Sequence, residues 1–339
     1  MTRVPLSVLD LATVREGHTS GDALRGAIAT AQAADRLGYS RFWVAEHHNT
    51  PAVASTAPPV LMAAVAANTS RIKVGSGGVM LPNHMPFVVA EQFAILEALY
   101  PDRVDLGIGR APGTDQVTAA ALRGVSPYLT VEQFPEHLRT LLGLLGDDRH
   151  TTRAGRLQAT PAPETYPQVW VLGSSTYGAQ MAAALGLPFC YAYHFPTASG
   201  LEQALDLYRT GFQPSPRLPE PHVMVSASVI AAETSEEADF QAGPSRVMML
   251  DLRTGGFKPM ISPEAAAARE FTDLDRQMLD ALSGAQHTGT AAEVVAFLDA
   301  LVEHTGADEL ILAGMVHDPL VQHDSLARIA TAWGLQSAS

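Results

Sequence analysis

Short apolar runs alternate with alanine-rich segments of helical periodicity along almost the whole chain, and this alternation narrows the possible folds more than any other feature. Runs too short for helices lie at Pro5–Leu9, Arg41–Glu46, Ile72–Met80, Val104–Gly109, Val169–Gly173, Phe189–Tyr193, His222–Ile230 and Glu309–Ala313. Helical patterns fill the gaps at Asp22–Leu37, Ala57–Asn68, Phe87–Leu99, Val131–Leu145, Thr176–Leu185, Gly200–Thr210 and Ala291–Thr305, with a last one near Asp324–Trp333. Eight strands, each followed by a helix, predict an α/β chain folded as a closed (β/α)8 barrel, although an open doubly wound sheet shares the local signature. A chain of 339 residues suits one barrel of ~250 residues carrying insertions.

Two connections exceed ordinary loop length: Ala111–Thr130 after strand four and roughly Glu233–Gly289 after strand seven. Both follow the C-terminal ends of strands, the face where barrels place their active sites. The second is a candidate lid or substrate wall, or else a helical decoration or dimer contact.

Composition removes several function classes. With 35 acidic against 22 basic side chains, the formal net charge is −13, and no Lys/Arg-rich stripe is present to neutralise a nucleic acid backbone. The single cysteine, Cys190, allows neither an internal disulfide nor a Cys-x-x-Cys metal or redox pair, which fits a reducing cytoplasm. The opening MTRVPLSVLDLATVREGH lacks the apolar run and cleavage site of a signal peptide, and no uncharged apolar run is long enough to span a bilayer. The expectation is a soluble, cytoplasmic protein.

Four stretches carry candidate chemistry. FWVAEHHN puts Glu46, His47 and His48 at the end of strand two, facing the predicted mouth. Adjacent strand residues point to opposite sides, so the two histidines are not expected to share one metal, and no further ligand cluster supports a metal hydrolase. VGSGGVMLPNHMP packs Gly75, Gly77 and Gly78 into one strand, which implies a bulge, an unusual peptide geometry or backbone lying against a flat ligand. RVDLGIGRAPGTD ends strand four in bare backbone and then Arg110, either a phosphate ligand or one half of a salt bridge. VWVLGSSTYG runs from strand five into a helix whose free N–H groups, beside Ser174, Ser175 and Thr176, suit a phosphate, unless the serines merely cap the helix.

Together with the late segment GTAAEVVAFLDALVEHTGADELIL, these stretches resemble, in order and over residues 5 to 315, the bacterial-luciferase-like flavin-dependent monooxygenases. The resemblance implies that residues 1–339 form one luciferase-like barrel domain with an insertion at about 233–289. It implies an enzyme that binds reduced FMN at the C-terminal mouth, reacts it with O2 and directs the resulting flavin hydroperoxide at a small organic substrate. It also implies a separate reductase supplying reduced FMN, and a homodimer formed through the second and third helices.

Residue by residue, His47 matches the histidine associated with acid–base work, and His48 matches a supporting neighbour. Gly77 and Gly78 match the position beside the isoalloxazine ring, where a cis peptide is often found. Gly109 matches the position beneath the flavin, Arg110 the phosphate contact, and Gly173, Ser174, Ser175, Thr176 and Tyr177 the phosphate loop. Luciferase has a reactive cysteine where this chain has Gly109, and Cys190 lies on another strand, so the match does not extend to light emission. Two alternatives stay open: hydride transfer using the deazaflavin F420, and flavin binding without turnover. The substrate, whether an aldehyde, an aromatic or a polyketide-like compound, is not written in these motifs.

Overall fold

The computed structural model describes residues 3–126, 128–151, 156–162, 164–195, 198–283 and 286–336. Pro127 in the first expected insertion, Gly284 and Ala285 in the second, and both ends of the 1–339 span lie outside the described residues.

Strands β1 (Leu6–Asp10), β2 (Arg41–Val44), β3 (Lys73–Met80), β4 (Val104–Gly109), β5 (Gln168–Gly173), β6 (Phe189–Tyr191) and β7 (Val223–Ala232) pair in parallel, each with the next. Past the short β8 (Gln286–Thr290), β9 (Glu309–Leu312) pairs with β7 on one side and returns to β1 on the other. Eight strands thus close the parallel barrel that the alternation predicts, with β8 outside it.

The missed strand has a physical explanation. β7 pairs with β9 only through Met224–Ala227. Its upper half, Ser228–Ala232, overshoots the barrel and takes β8 as its partner. β8 reads QHTGT and has no apolar run to betray it.

Helices pack around the barrel: α1 (Ser20–Leu37), α2 (Pro58–Ala67), α3 (Pro86–Leu99), α4 (Gln116–Arg123), α5 (Phe134–Leu144), α6 (Thr176–Leu185) and α7 (Leu201–Gly211). The segment after β7 holds α8 (Ser235–Thr254), α9 (Pro263–Ala267) and α10 (Asp273–Ser283), then β8 and α11 (Ala291–Thr305), and α12 (Pro319–Trp333) ends the fold. Their limits follow local chemistry. Thr19 and Asp22 form a reciprocal capping box at the start of α1, and Gly38 in the left-handed region stops it. α12 starts at Pro319, before the expected Asp324, because Asp318 caps it and Pro319 suits the first helical position.

One small cluster gathers Leu9, Trp43, Trp170, Cys190, Met224 and Ile311 from six different strands, so these side chains fill the barrel lumen. Trp43 and Trp170 meet edge to face at 5.4 Å. The glycine-rich strand makes room for them. A Cβ at Gly75 would strike the Trp43 indole, and one at Gly77 would lie 2.6 Å from the Leu9 side chain. At the other end of the lumen Arg41 lies between Asp105 and Glu309, bonded to both carboxylates at 2.8–3.0 Å. The charges are buried but paired, which is the condition for tolerating them there.

Candidate active site at the barrel mouth

β2 stops at Val44, two residues before the expected Glu46, because past Ala45, which still bonds the end of β1, the N–H groups of the histidines turn away to loop carbonyls. Ala45 donates to Asp10, His47 to Ser55 and His48 to Gly113. The chain therefore enters the mouth as a loop, and the neighbours Glu46, His47 and His48 acquire different partners. Gly113 brings the facing loop close enough: it has φ 65°, and a Cβ there would sit 2.7 Å from the Glu46 carbonyl oxygen.

His47 places Nδ1 3.3 Å from the Gly113 carbonyl oxygen. A carbonyl only accepts, so Nδ1 carries the proton in that bond and Nε2 keeps its lone pair when the ring is neutral. Burial lowers the His47 pKa below the ordinary histidine value, against a smaller opposing pull from Gly113 and Glu46. The ring is therefore a neutral proton acceptor at pH 7.

Glu46 serves its other neighbours. Its Oε1 accepts Nε2–H from both His48 and His84 at 2.8 Å, and its Oε2 accepts the Met80 N–H at 3.1 Å. Burial opposes its charge, but the bonds from His48 and His84 outweigh that cost and hold the carboxyl down at about 2. The ligand atoms of Glu46, His48 and His84 lie within 4.8 Å of one another, a spacing that could hold a metal ion. His84 was not visible in the adjacent-histidine argument, because the fold brings it in from the loop after β3.

The expected glycines lie in the mouth-facing ends of β3 and β4. The Gly77–Gly78 peptide is cis, and the β3–β4 register slips by one residue between Gly77 and Val79, so both the unusual peptide and the bulge are present. Gly109 pairs with Met80, and Arg110 follows it directly. The Arg110 guanidinium lies over the Tyr177 ring at 4.2 Å, joining two positions from distant parts of the chain. No salt bridge to Arg110 occurs among the described residues.

Gly173 and Ser174 connect β5 to α6. Ser175 occupies the N-cap position in extended backbone but makes no side-chain capping bond. The Ser175 hydroxyl therefore does not cap the helix. The first-turn N–H groups of α6, including that of Thr176, remain donors beside Arg110 and Tyr177.

A cavity of about 620 Å3 opens next to this corner, starting at Ala111 and reaching His47, His194 and the insertion helix α8. Its size is that of a small-molecule site. Leu11, Phe195, Met249, Leu252, Phe257 and Met315 make much of the wall apolar. The segment after β7 thus supplies part of the cavity wall. None of Gly77, Gly78, Gly109, Arg110 and the Gly173–Tyr177 group lines the cavity, whereas His47 does.

Two lining residues escaped the motif search. His194 follows β6 much as His47 follows β2, so the same strand-end logic would have found it. It is half-buried, with Nδ1 against Ser226 Oγ, and desolvation lowers its pKa to about 4. Arg246 lies in the middle of α8, where no sequence pattern marks it.

A barrel whose strand ends surround a half-buried histidine and a largely apolar cavity has the arrangement of a small-molecule site. The chain matches the family described as luciferase-like monooxygenase over residues 4–309, and it is a member of that family. It is 39% identical over 318 residues to a luciferase-like monooxygenase of Escherichia coli (strain K12), covering 93% of this chain and 92% of that protein. The N-acetyl-S-alkylcysteine monooxygenase of Bacillus subtilis (strain 168) is 41% identical over 238 residues, covering 70% of each chain.

Among solved structures, apo-MsnO8 superposes with a TM-score of 0.90 at 35% identity, over 99% of this chain and 100% of that one. The oxygenating constituent of the Pseudomonas putida 3,6-diketocamphane monooxygenase, in complex with FMN, shares the fold at a TM-score of 0.71 and 19% identity, over 97% and 98% of the two chains. An F420-dependent secondary alcohol dehydrogenase shares it at 0.69 and 17%, over 98% and 99%. No helix among the described residues is long and apolar enough to cross a membrane.

Proposed function

We propose that the protein is a flavin-dependent monooxygenase that uses reduced FMN and O2 to oxygenate a small organic substrate. The observation carrying this reading is the Arg110–Tyr177 pair beside the uncapped start of α6, next in the chain to Ala111 in the wall of the cavity that His47 also lines. Those donors fit a phosphate monoester: several N–H groups at the positive end of a helix, with a guanidinium already held in place by an aromatic face. Arg110, Gly173, Ser174, Ser175, Thr176 and Tyr177 would hold the phosphate, and Gly77, Gly78 and Gly109 would leave flat backbone beneath the ring.

Bound reduced flavin would supply the two electrons that O2 activation needs. The remaining work belongs to the chain. The insertion after β7 acts as a wall that keeps water from the cavity, and His47 takes a proton at Nε2. His48 stays fastened to Glu46 and supports the loop. A homodimer is part of the proposal, because Val60 on α2 and Val88, Ile95 and Leu99 on α3 are exposed apolar side chains on neighbouring helices. A separate reductase would regenerate the reduced flavin.

The second reading, F420-dependent hydride transfer, shares the barrel. Anaerobic titration with reduced FMN, followed by O2 and a substrate panel read by mass spectrometry, separates them. The monooxygenase predicts a product heavier by one oxygen atom, labelled from 18O2. Unlabelled product formed only with reduced F420 refutes it, and flavin reoxidation without any product favours a binding protein without turnover.

A further inference from the structure

We infer that the cavity takes an amphipathic organic anion, a small molecule with an apolar body and one carboxylate-type head, and that Arg246 anchors the head. The inference rests on the monooxygenase reading for calling this cavity the substrate site. Its own evidence is the distribution of charge along the wall.

Among the described lining residues, Arg246 and Asp115 carry the charge, leaving the histidines aside. Asp115 is spent on structure. Its Oδ1 accepts the Val117 and Thr118 N–H groups at 2.8 and 3.0 Å, and its Oδ2 accepts the Thr118 hydroxyl at 2.7 Å. The carboxylate caps α4, and the positive end of that helix offsets its charge.

Arg246 is different. Nε donates to Gln286 Oε1 at 3.1 Å, and Gln286 is itself fixed through Nε2 to Ser245 Oγ at 3.1 Å. Nη1 faces Asp239 at 2.7 Å, but that carboxylate is 61% exposed, so water screens the pair. Nη2 has no hydrogen-bond partner among the described residues. The guanidinium is therefore oriented by a bond from β8, only 21% exposed, and left with a free donor edge on an apolar cavity.

A neutral, wholly apolar ligand would dry that edge and give it nothing in return, which is costly for a charged donor. A carboxylate, sulfonate or phosphate head satisfies it with charge-assisted bonds. The opposite polar features disfavour the anion: His47 and His194 are held neutral by burial, and His47 offers a lone pair. The head therefore binds at Arg246 and the apolar body extends along the cavity toward His47, where oxygenation would occur.

The test uses 4-phenylbutyrate and its uncharged primary amide as matched probes, titrated calorimetrically into the full chain with and without FMN. The parent is expected to bind the acid about tenfold more tightly than the amide, and Arg246→Gln to bind both alike. Asp239→Asn, which removes the competing carboxylate, is expected to tighten acid binding and leave the amide unchanged. Equal affinities in the parent or a preference surviving Arg246→Gln overturns the inference, and the parent arm holds even if Arg246→Gln fails to fold. FMN affinity, read by fluorescence quenching, should be unchanged in Arg246→Gln; a parallel loss would make Arg246 a cofactor ligand and overturn the assignment. A parent that ignores FMN but prefers the acid would instead sink the flavin reading and support the anion site.

Discussion

Replacing Arg110 with alanine removes the one guanidinium that Tyr177 holds beside the start of α6. A hydrogen bond to a charged group contributes about 1.5–3 kcal/mol, and the exposure of Arg110 puts its phosphate contact at the lower end. The expected loss is about 1.5 kcal/mol, or roughly a tenfold weaker Kd for FMN. Tyr177→Leu leaves the charge and removes only its support. An exposed cation–π contact is worth about 0.5–1 kcal/mol, so a loss of about two- to fivefold is expected there. The assay is quenching of flavin fluorescence, with riboflavin as the decisive control because it has the same ring and no phosphate. Parent protein should prefer FMN to riboflavin, both variants should narrow that gap, and riboflavin affinity should hardly move. FMN binding as tight as the parent's in Arg110→Ala would refute the phosphate role. So would an equal loss for riboflavin, since that would mean a damaged ring site.

Other outcomes follow from the same geometry. His47→Ala should bind FMN normally but slow single-turnover oxygenation by about 10²- to 10⁴-fold, the usual worth of a positioned base. Because burial lowers the His47 pKa, the decline of the parent rate with falling pH should be centred below the ordinary histidine value of about 6.5; a decline centred at or above it would contradict the neutral-acceptor assignment. His194, with its pKa lowered to about 4, binds its proton more readily in the unfolded chain. Stability should therefore fall as pH drops from about 6.5 toward 4, by about 3 kcal/mol at the limit, and His194→Gln should flatten that slope in urea denaturation. Gly107→Ala would push a Cβ onto the Ser76 carbonyl oxygen, a backbone atom that cannot step aside. It should cost about 1–3 kcal/mol or more by the same measurement, and a neutral result would show that β3 and β4 can separate at no cost.

Much of the barrel was legible because hydrophobic periodicity reports how each element is buried. The eight barrel strands appear as apolar runs, within a residue or two at most ends. The exceptions have local causes. β2 ends two residues early because the histidine N–H groups beyond it turn to loop carbonyls, and β8 carries a polar sequence because only one edge of it meets β7. The glycine run in β3 was legible as peculiar but not as to cause. Its glycines at 75 and 77 face Trp43 and Leu9 inside the lumen, and no local pattern says that a tryptophan on the preceding strand needs the space. Strand-end position pointed to His47 and would have pointed to His194, whereas Arg246 sits on an ordinary helix turn.

By itself the sequence determined the order of βα units, the mouth at which their strand ends collect, and the residue types available there: a histidine, bare glycine backbone, an arginine and a Gly-Ser-Ser-Thr turn. Only the tertiary structure decided who meets whom. It laid Arg110 on Tyr177, tied His48 and His84 to one carboxylate while leaving His47 to Gly113, and swung α8 over the mouth so that Arg246 shares a cavity with His47. Periodicity is a property of one element against its surroundings. Which distant elements become neighbours depends on barrel closure and on side-chain volume in the lumen, and those are set by the whole chain at once.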